Sequence, residues 1–390
     1  MASTATKTKT PSNPPSQLSL SLPLSQFANL QPHPYLLAHL APPPTSREPS
    51  ARANGRAPTQ PRAASANIGS LTHANGSAVV RIGETAAVCG VRAEVLSADD
   101  IPGWGVSSSG AKRRKTTDNN DSSSEIEDYN LLVPNLSLST GCSPSYMPGA
   151  APSSLAQSLS HQVLSLLHTT QLVRTEDLRI WHHPPNFSAA EREGEGAMDQ
   201  DDDEDADETP EPEVKAFWTL YIDILIISLA GNPFDAAWAA VLAALRDTRL
   251  PRAWWDTDHE TVVCSDIASE AKSLTLRGFP IASSYAVFEA DAAETWRPVV
   301  PRTAQGTKSK TEAGTRERWI LADPDGFEER LCQERICVVL DRDSSQCGKV
   351  KIISLKKNGG MAVGKEEMRE IVGLSTARWE EWKAILDKFR

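Results

Sequence analysis

Alternating strand-like and helix-like stretches predict an α+β fold in which mixed sheets pack on helices. Three observations carry that prediction. Asn75–Val95 reads as two β-prone runs around Gly83-Glu84, a hairpin pattern. Trp218–Leu229 is an apolar run that passes through Gly231-Asn232-Pro233 into a helical stretch, Phe234–Leu245. From Ser283 onward, short β-type runs precede a long charged amphipathic helix that starts at Lys365.

Taken in order, the first 50 residues hold ten prolines and four charged residues. Proline removes backbone donors, so residues 1–22 are expected to form a disordered tail. Ser25–Leu30 and Pro34–Leu40 are apolar enough to dock as short helical turns, stopped by Pro42–Pro44. Leu155, Leu159, Val163, Leu166 and Leu167 share one helical face. Trp218–Leu229 is expected to be a buried strand with Asp223 as its odd residue. Asn232 then stands at an N-cap position and Pro233 at the first helical position. The helix that follows is apolar nearly all round, which predicts an enclosed helix. Ser283–Phe288, Trp319–Ala322, Ile336–Leu340 and Val350–Leu355 are the later strands. Trp379, Trp382, Ile385 and Leu386 recur at helical spacing, which predicts packing rather than a stacking platform.

One ordered domain over residues 23–390 is expected, with disordered insertions at 105–128, 188–214 and 297–316. These segments are too polar to bury the area that ordering them would require. The formal net charge of −11 arises from 40 basic and 51 acidic residues. Residues 191–213 alone contribute −12, with 13 acidic side chains and one arginine. The charge therefore describes a segment and carries little weight against a nucleic-acid partner. The opening MASTATKTKT has no apolar h-region, so a secretory route is not expected. The six cysteines form no CxxC pair, which fits reduced thiols in the cytoplasm or nucleus.

Candidate chemistry is sparse. His182-His183 and the pair Cys332 and Cys337 lack the ligand clustering of a metal site, and no metal or cofactor is expected. The acidic run lacks the spacing and the glycine of a calcium loop. Lys112-Arg113-Arg114-Lys115 reads equally as a localisation signal, a phosphate contact or a solvated loop. Gly231–Phe234 opens a helix after a strand, a position able to bind anions through free N–H groups. Pro233 removes one donor and Asp235 would repel an anion, so the turn is expected to bind phosphate poorly.

At Arg52-Ala53-Asn54-Gly55-Arg56, Arg62, Asn67-Ile68-Gly69-Ser70 and Asn75-Gly76-Ser77-Ala78-Val79-Val80, the sequence resembles ribonuclease PH-like subunits of the RNA exosome. The likeness continues through Gly83-Glu84-Thr85, Cys89-Gly90-Val91, Glu94 and Val133-Pro134-Asn135. Gly231-Asn232 with Asp235-Ala236-Ala237, and Asp323-Pro324 with Glu328-Glu329, complete it. Ala53 and Asn54 stand where the family usually carries Pro and Asp.

The resemblance implies a ribonuclease PH-like (ribosomal protein S5 domain 2-like) fold. Active members cleave RNA from its 3′ end with inorganic phosphate. They use a Gly-(Ser/Thr)-Arg turn at the central helix and two aspartates six residues apart. Here the arginine position falls on Phe234 and the carboxylate positions fall on Glu329 and Arg335. An arginine fork and a carboxyl group are lost, so the resemblance implies a non-catalytic ring subunit. Implied partners are other ribonuclease PH-like ring subunits, S1/KH cap subunits, the catalytic exosome nucleases and RNA in a shared channel. Implied locations are nucleus, nucleolus and cytoplasm. An active phosphate-dependent exoribonuclease, or a fold relative recruited to another complex, remain as alternatives. Arg81, Arg92 and Lys112–Lys115 are candidate RNA contacts, but the RNA-binding residues are not determined by the sequence. The acidic run is expected to face solvent away from RNA, since its charge within a Debye length of about 8 Å would repel phosphates.

Overall fold

Central helix α6 (Pro233–Asp247) packs against strands of two separate sheets, and every residue from Pro233 to Leu245 is buried. The computed structural model describes residues 23–42, 49–102, 104, 121–147, 151–182, 184, 212–290, 318–342, 349–359 and 363–389. Residues 1–22, 105–120, 185–211 and 297–316 lie outside the described residues, and with them most of the expected tail and insertions. Lys112–Lys115 and His183 are also outside them.

The chain divides into two compact units, one of residues 1–57 with 290–309 and one of 58–289 with 310–390. In the smaller unit, α1 (Leu24–Leu30) and α2 (Pro32–Leu40) are short helices, with Leu36 and Leu40 buried. Tyr35 meets Phe27 edge-on at 6.2 Å and His39 at 4.8 Å between ring centres. The Arg52–Arg56 stretch is a closed turn: Arg52 N–H donates to Arg56 O at 2.8 Å, and Gly55 N–H to Arg52 O at 2.9 Å.

In the larger unit, the first sheet orders β1 (Ala64–Ile68), β2 (Gly76–Ile82), β3 (Thr85–Ser97), β6 (Glu213–Ser228) and β4 (Leu132–Leu138). Strand β5 (Arg179–His182) also pairs with β6. Pairing is antiparallel except for β4 against β6. Helix α4 (Ser154–Thr170) packs on β4, burying Leu159, Val163, Leu166 and Leu167 as the spacing predicts, and the one-turn helix α5 (Thr175–Leu178) follows it. The second sheet is antiparallel, ordered β12 (Arg318–Ala322), β11 (Ile281–Glu289), β13 (Glu334–Arg342) and β14 (Val350–Asn358). Short strands β7 (Arg249–Leu250) and β10 (Lys272–Ser273) pair, as do β8 (Ala253–Asp256) and β9 (Thr261–Cys264). Helix α8 (Lys365–Leu386) buries Ile371, Trp379, Trp382 and Leu386, and Trp379 Nε1 donates to Phe279 O at 2.8 Å. Both tryptophans are core residues, as their helical spacing implies. No helix among the described residues is long and apolar enough to cross a membrane.

The hairpin expected at Gly83-Glu84 forms, with Ile82 opposite Thr85. Gly76 is needed because β2 runs close to the end of α6: a Cβ there would sit 2.6 Å from Ala244 O.

Three local expectations change. First, β6 is not buried throughout. Ile222, Ile224 and Ile226 are buried, whereas Asp223, Leu225 and Ile227 are exposed. This is one-faced alternation, because α6 covers only one side of the sheet. Asp223 is thus a surface residue, accepting from Asn135 Nδ2 at 3.3 Å. Second, the end of the 105–128 stretch is ordered: Asp121–Asp128 forms helix α3. Ile126 joins the core and Glu125 pairs with Arg179 at 2.7 Å, with both side chains largely buried. Third, strand β6 already begins at Glu213, inside the expected 188–214 insertion.

Candidate functional site

Strand β6 ends at Ser228, and the chain reverses at Gly231 before entering α6. Gly231 has φ +92, and a Cβ there would lie 2.5 Å from the Asp325 carbonyl carbon. Only glycine lets the 231 and 325–326 backbones approach so closely. Asn232 occupies the N-cap position but adopts the left-handed conformation, with φ 47 and ψ 59. Its side chain does not cap the helix. Instead Nδ2 donates to Asp235 Oδ2 at 2.8 Å and to Asp323 Oδ1 at 2.7 Å.

A buried polar chain grows from this turn. Arg62 grips Asp323 through Nε and Nη2, each at 2.7 Å, and its own N–H donates to Asp323 Oδ2 at 3.0 Å. Arg62 also donates to Thr85 Oγ1, Ala230 O and Gly231 O. Asp235 in turn accepts from Ser284 N at 2.8 Å and Ser284 Oγ at 2.7 Å, tying α6 to β11. The carboxylate that was expected to repel anions is thus committed to the second sheet.

Electrostatics follow from this pairing. Burial alone would push the Asp323 carboxyl up, but the Arg62 hydrogen bond and charge, with Asn232, hold it below the usual carboxylate range. Arg62 is correspondingly raised: Asp323 outweighs the burial that pulls it down. Burial raises the Asp235 carboxyl, against the hydrogen bonds from Asn232 and Ser284.

Phe234, Glu329 and Arg335 line one cavity of about 310 Å³ at the opening of α6, together with Arg330, Cys337 and Lys356. The structure therefore brings together the three positions singled out in the sequence. Phe234 contributes no charge. Glu329, on the short helix α7 (Glu328–Leu331), turns inward, and its Oε1 accepts the Asn232 N–H at 2.9 Å. Burial raises the Glu329 carboxyl, opposed by that N–H and by Arg335. Arg335 Nη2 donates to the Glu329 carbonyl at 2.5 Å. Cys337 is pushed up to about 12 by burial.

Other candidates lie elsewhere. Arg81 donates to Gly83 O at 2.8 Å, and Arg92 lies 3.1 Å from Glu94 and over the Tyr221 ring. His182 is on β5, and Cys332 and Cys337 do not join a metal-holding group among the described residues. Sequence reasoning missed Ser284. The signal was present as two hydroxyls, Ser283-Ser284, inside an otherwise apolar strand.

A sheet-helix-sheet body whose buried polar chain closes on the opening of the central helix defines a ribonuclease PH-like fold. Residues 60–251 match the 3′ exoribonuclease family, domain 1. Exosome complex component rrp43 of Schizosaccharomyces pombe is 29% identical over 341 residues, spanning 86% of this chain and 89% of that protein. The putative exosome complex exonuclease RRP42 of Dictyostelium discoideum is 26% identical over 241 residues, 60% of this chain and 70% of that one. Among solved structures, a chain of the Archaeoglobus fulgidus exosome with RNA bound to the active site shares the fold. Its TM-score is 0.52 at 16% identity, covering 92% of this chain and 97% of that one.

Proposed function

We propose that this chain is a non-catalytic ring subunit of an RNA exosome core. It would sit among other ribonuclease PH-like subunits, beneath S1/KH cap subunits, and form part of a channel that threads RNA to nucleases elsewhere in the complex. The observation that carries the non-catalytic reading is the occupancy of the helix opening. Phe234 offers no cation there, and the Asn232 N–H is already bonded to Glu329. Phosphate-dependent cleavage needs a cationic fork and a carboxyl acid at such a site. Arg335 places a cation where the resemblance asks for the second carboxylate. The likeness to exosome components over most of the chain supports ring membership. Nuclear, nucleolar and cytoplasmic pools belong to the same reading.

Two measurements test it. The purified chain, given 3′-labelled RNA and inorganic phosphate, should release no nucleoside diphosphate; phosphate-dependent release would overturn the non-catalytic reading. Affinity purification of the tagged chain with mass spectrometry should recover ring and cap subunits in stoichiometric amounts. Recovery of the chain alone, or with unrelated proteins, would overturn ring membership.

A further inference from the structure

A groove of about 570 Å³ lies at the C-terminal end of α6. Arg246 of α6, Arg342 of β13 and Lys383 of α8 line it, and Asp387 is its one acidic lining residue. Two aromatic rings hold these cations in place. Arg246 lies over Phe279 at 5.3 Å, and Arg342 and Lys383 lie over Trp379 at 5.9 and 5.0 Å. Arg246 reaches Asp387 at 3.1 Å and Arg342 reaches Glu380 at 2.7 Å, with both carboxylates exposed. Exposed pairs of this kind contribute little and yield to competing carboxylates. Among the described residues, Lys383 meets the Trp379 ring and no carboxylate.

The groove stands close to the root of the acidic run. Thr275 is part of its wall, and Asp177 accepts from Thr275 N at 3.0 Å and from Lys272 Nζ at 2.8 Å. Strand β5 ends at His182, five residues after Asp177, so His182 lies no more than about 18 Å from Asp177. The chain re-enters β6 at Glu213, directly opposite His182. Both ends of the intervening stretch are therefore anchored on the same side of the groove. Residues 185–211 carry 12 acidic side chains and one arginine. Half of that stretch, fully extended, spans about 45 Å, so its length does not limit its reach.

We infer that the groove of Arg246, Arg342 and Lys383 is the docking site of the chain's own acidic run, centred on Asp199–Glu208. Charge complementarity selects this occupant, and the short tether gives it a high effective concentration over any free acidic ligand. The inference rests on the groove and not on ring membership, so its test is separate from the purification experiment.

The test uses the full-length chain and a carbodiimide, which joins an amine directly to a carboxylate in contact with it. Peptide mass spectrometry should find Lys383 joined to carboxylates of Asp199–Glu208. In an equal mixture of nitrogen-14 and nitrogen-15 chains, these links should fall within one molecule. Their yield should drop at least about threefold in about 0.5 M salt, and likewise in Arg342→Glu. A second readout is a chain whose eight acidic residues from Asp199 to Glu208 are changed to their amides. Hydrogen exchange of the Ser273–Phe279 amides should then quicken at least about threefold, with β2 and β3 unchanged. Failure of Lys383 to couple to the run, or coupling of the run to the β14 lysines instead, would overturn the inference. Links between isotopes would assign the groove to a second copy and overturn it too. So would single-stranded RNA that binds the wild-type and amide chains equally and is lost in Arg342→Glu. If Arg342→Glu fails to fold, the amide chain decides, and unchanged exchange at Ser273–Phe279 overturns the inference.

Discussion

Arg62 holds both carboxylate oxygens of Asp323, Nε to Oδ2 and Nη2 to Oδ1, each at 2.7 Å. The two residues are 261 positions apart, and both side chains are largely buried. Arg62 precedes β1 of the first sheet, and Asp323 follows β12 of the second. Their bond therefore fastens the two halves of the larger unit at the mouth of α6. Removing one partner of a buried pair leaves an uncompensated charge. Arg62→Met should cost about 3–5 kcal/mol in urea unfolding. Arg62→Lys should recover only part of it, because an ammonium cannot fork both oxygens. Equal stability of wild type and Arg62→Met would refute the fastening role.

The same pair sets an acid limb. Asp323 has a folded-state pKa below its unfolded value, so its stabilisation is present above about pH 4 and lost as pH falls through the folded value. The stability gap between wild type and Asp323→Asn should be widest at neutral pH and narrow progressively in acid. A gap that does not change between pH 7 and pH 3 would contradict the pairing.

Asn232 combines a positive φ of 47 with two side-chain bonds to buried carboxylates. Substituting glycine keeps the backbone conformation and removes the bonds, whereas alanine loses both. Asn232→Gly should cost about 1–3 kcal/mol, and Asn232→Ala about 1 kcal/mol more. If alanine and glycine are equivalent, the left-handed backbone is not the reason for asparagine here.

Gly231→Ala tests the close approach of two backbones. Its added methyl would meet Asp325 and Gly326 main-chain atoms, which cannot swing away as a side chain can. The thermal midpoint should drop by several degrees, in line with a loss of about 2 kcal/mol or more. An unchanged midpoint would show that the 324–326 turn moves freely.

Thiol reactivity should separate the described cysteines. Cys264 is exposed, whereas Cys89 is buried and Cys337 is pushed up to about 12. The thiolate is the reactive form. Iodoacetamide at pH 8 should label Cys264 first, with Cys89 and Cys337 modified only on unfolding, as read by peptide mass spectrometry. Early modification of Cys337 would mean that the cavity opens to solvent.

Much of the fold was legible because periodicity records burial directly. The hairpin at Gly83-Glu84, helix α4, the enclosed α6 and the tryptophan spacing of α8 all announce which face meets the core. The reading of β6 went astray because Leu225 and Ile227 are apolar yet exposed, and composition does not say which side a helix will cover. Ile126 was similarly lost in a polar stretch, although one apolar residue suffices to anchor α3. At the site, Phe234, Glu329 and Arg335 could be picked from motif positions, but not what each side chain does.

The sequence alone determined the α+β class, the Gly83-Glu84 hairpin, the helices α4, α6 and α8, and the phenylalanine at the helix opening. These are properties of local spacing and residue type. Only the tertiary structure decided where the polar groups turn. Asn232 looks like a helix cap and instead joins Asp235 to Asp323. Glu329 looks like a relic of an acid and instead fills the Asn232 N–H. The reason is that a buried polar atom takes the nearest partner of matching chemistry: Asp323 lies 261 residues from Arg62 and 91 from Asn232, and Glu329 lies 97 from Asn232, along the chain.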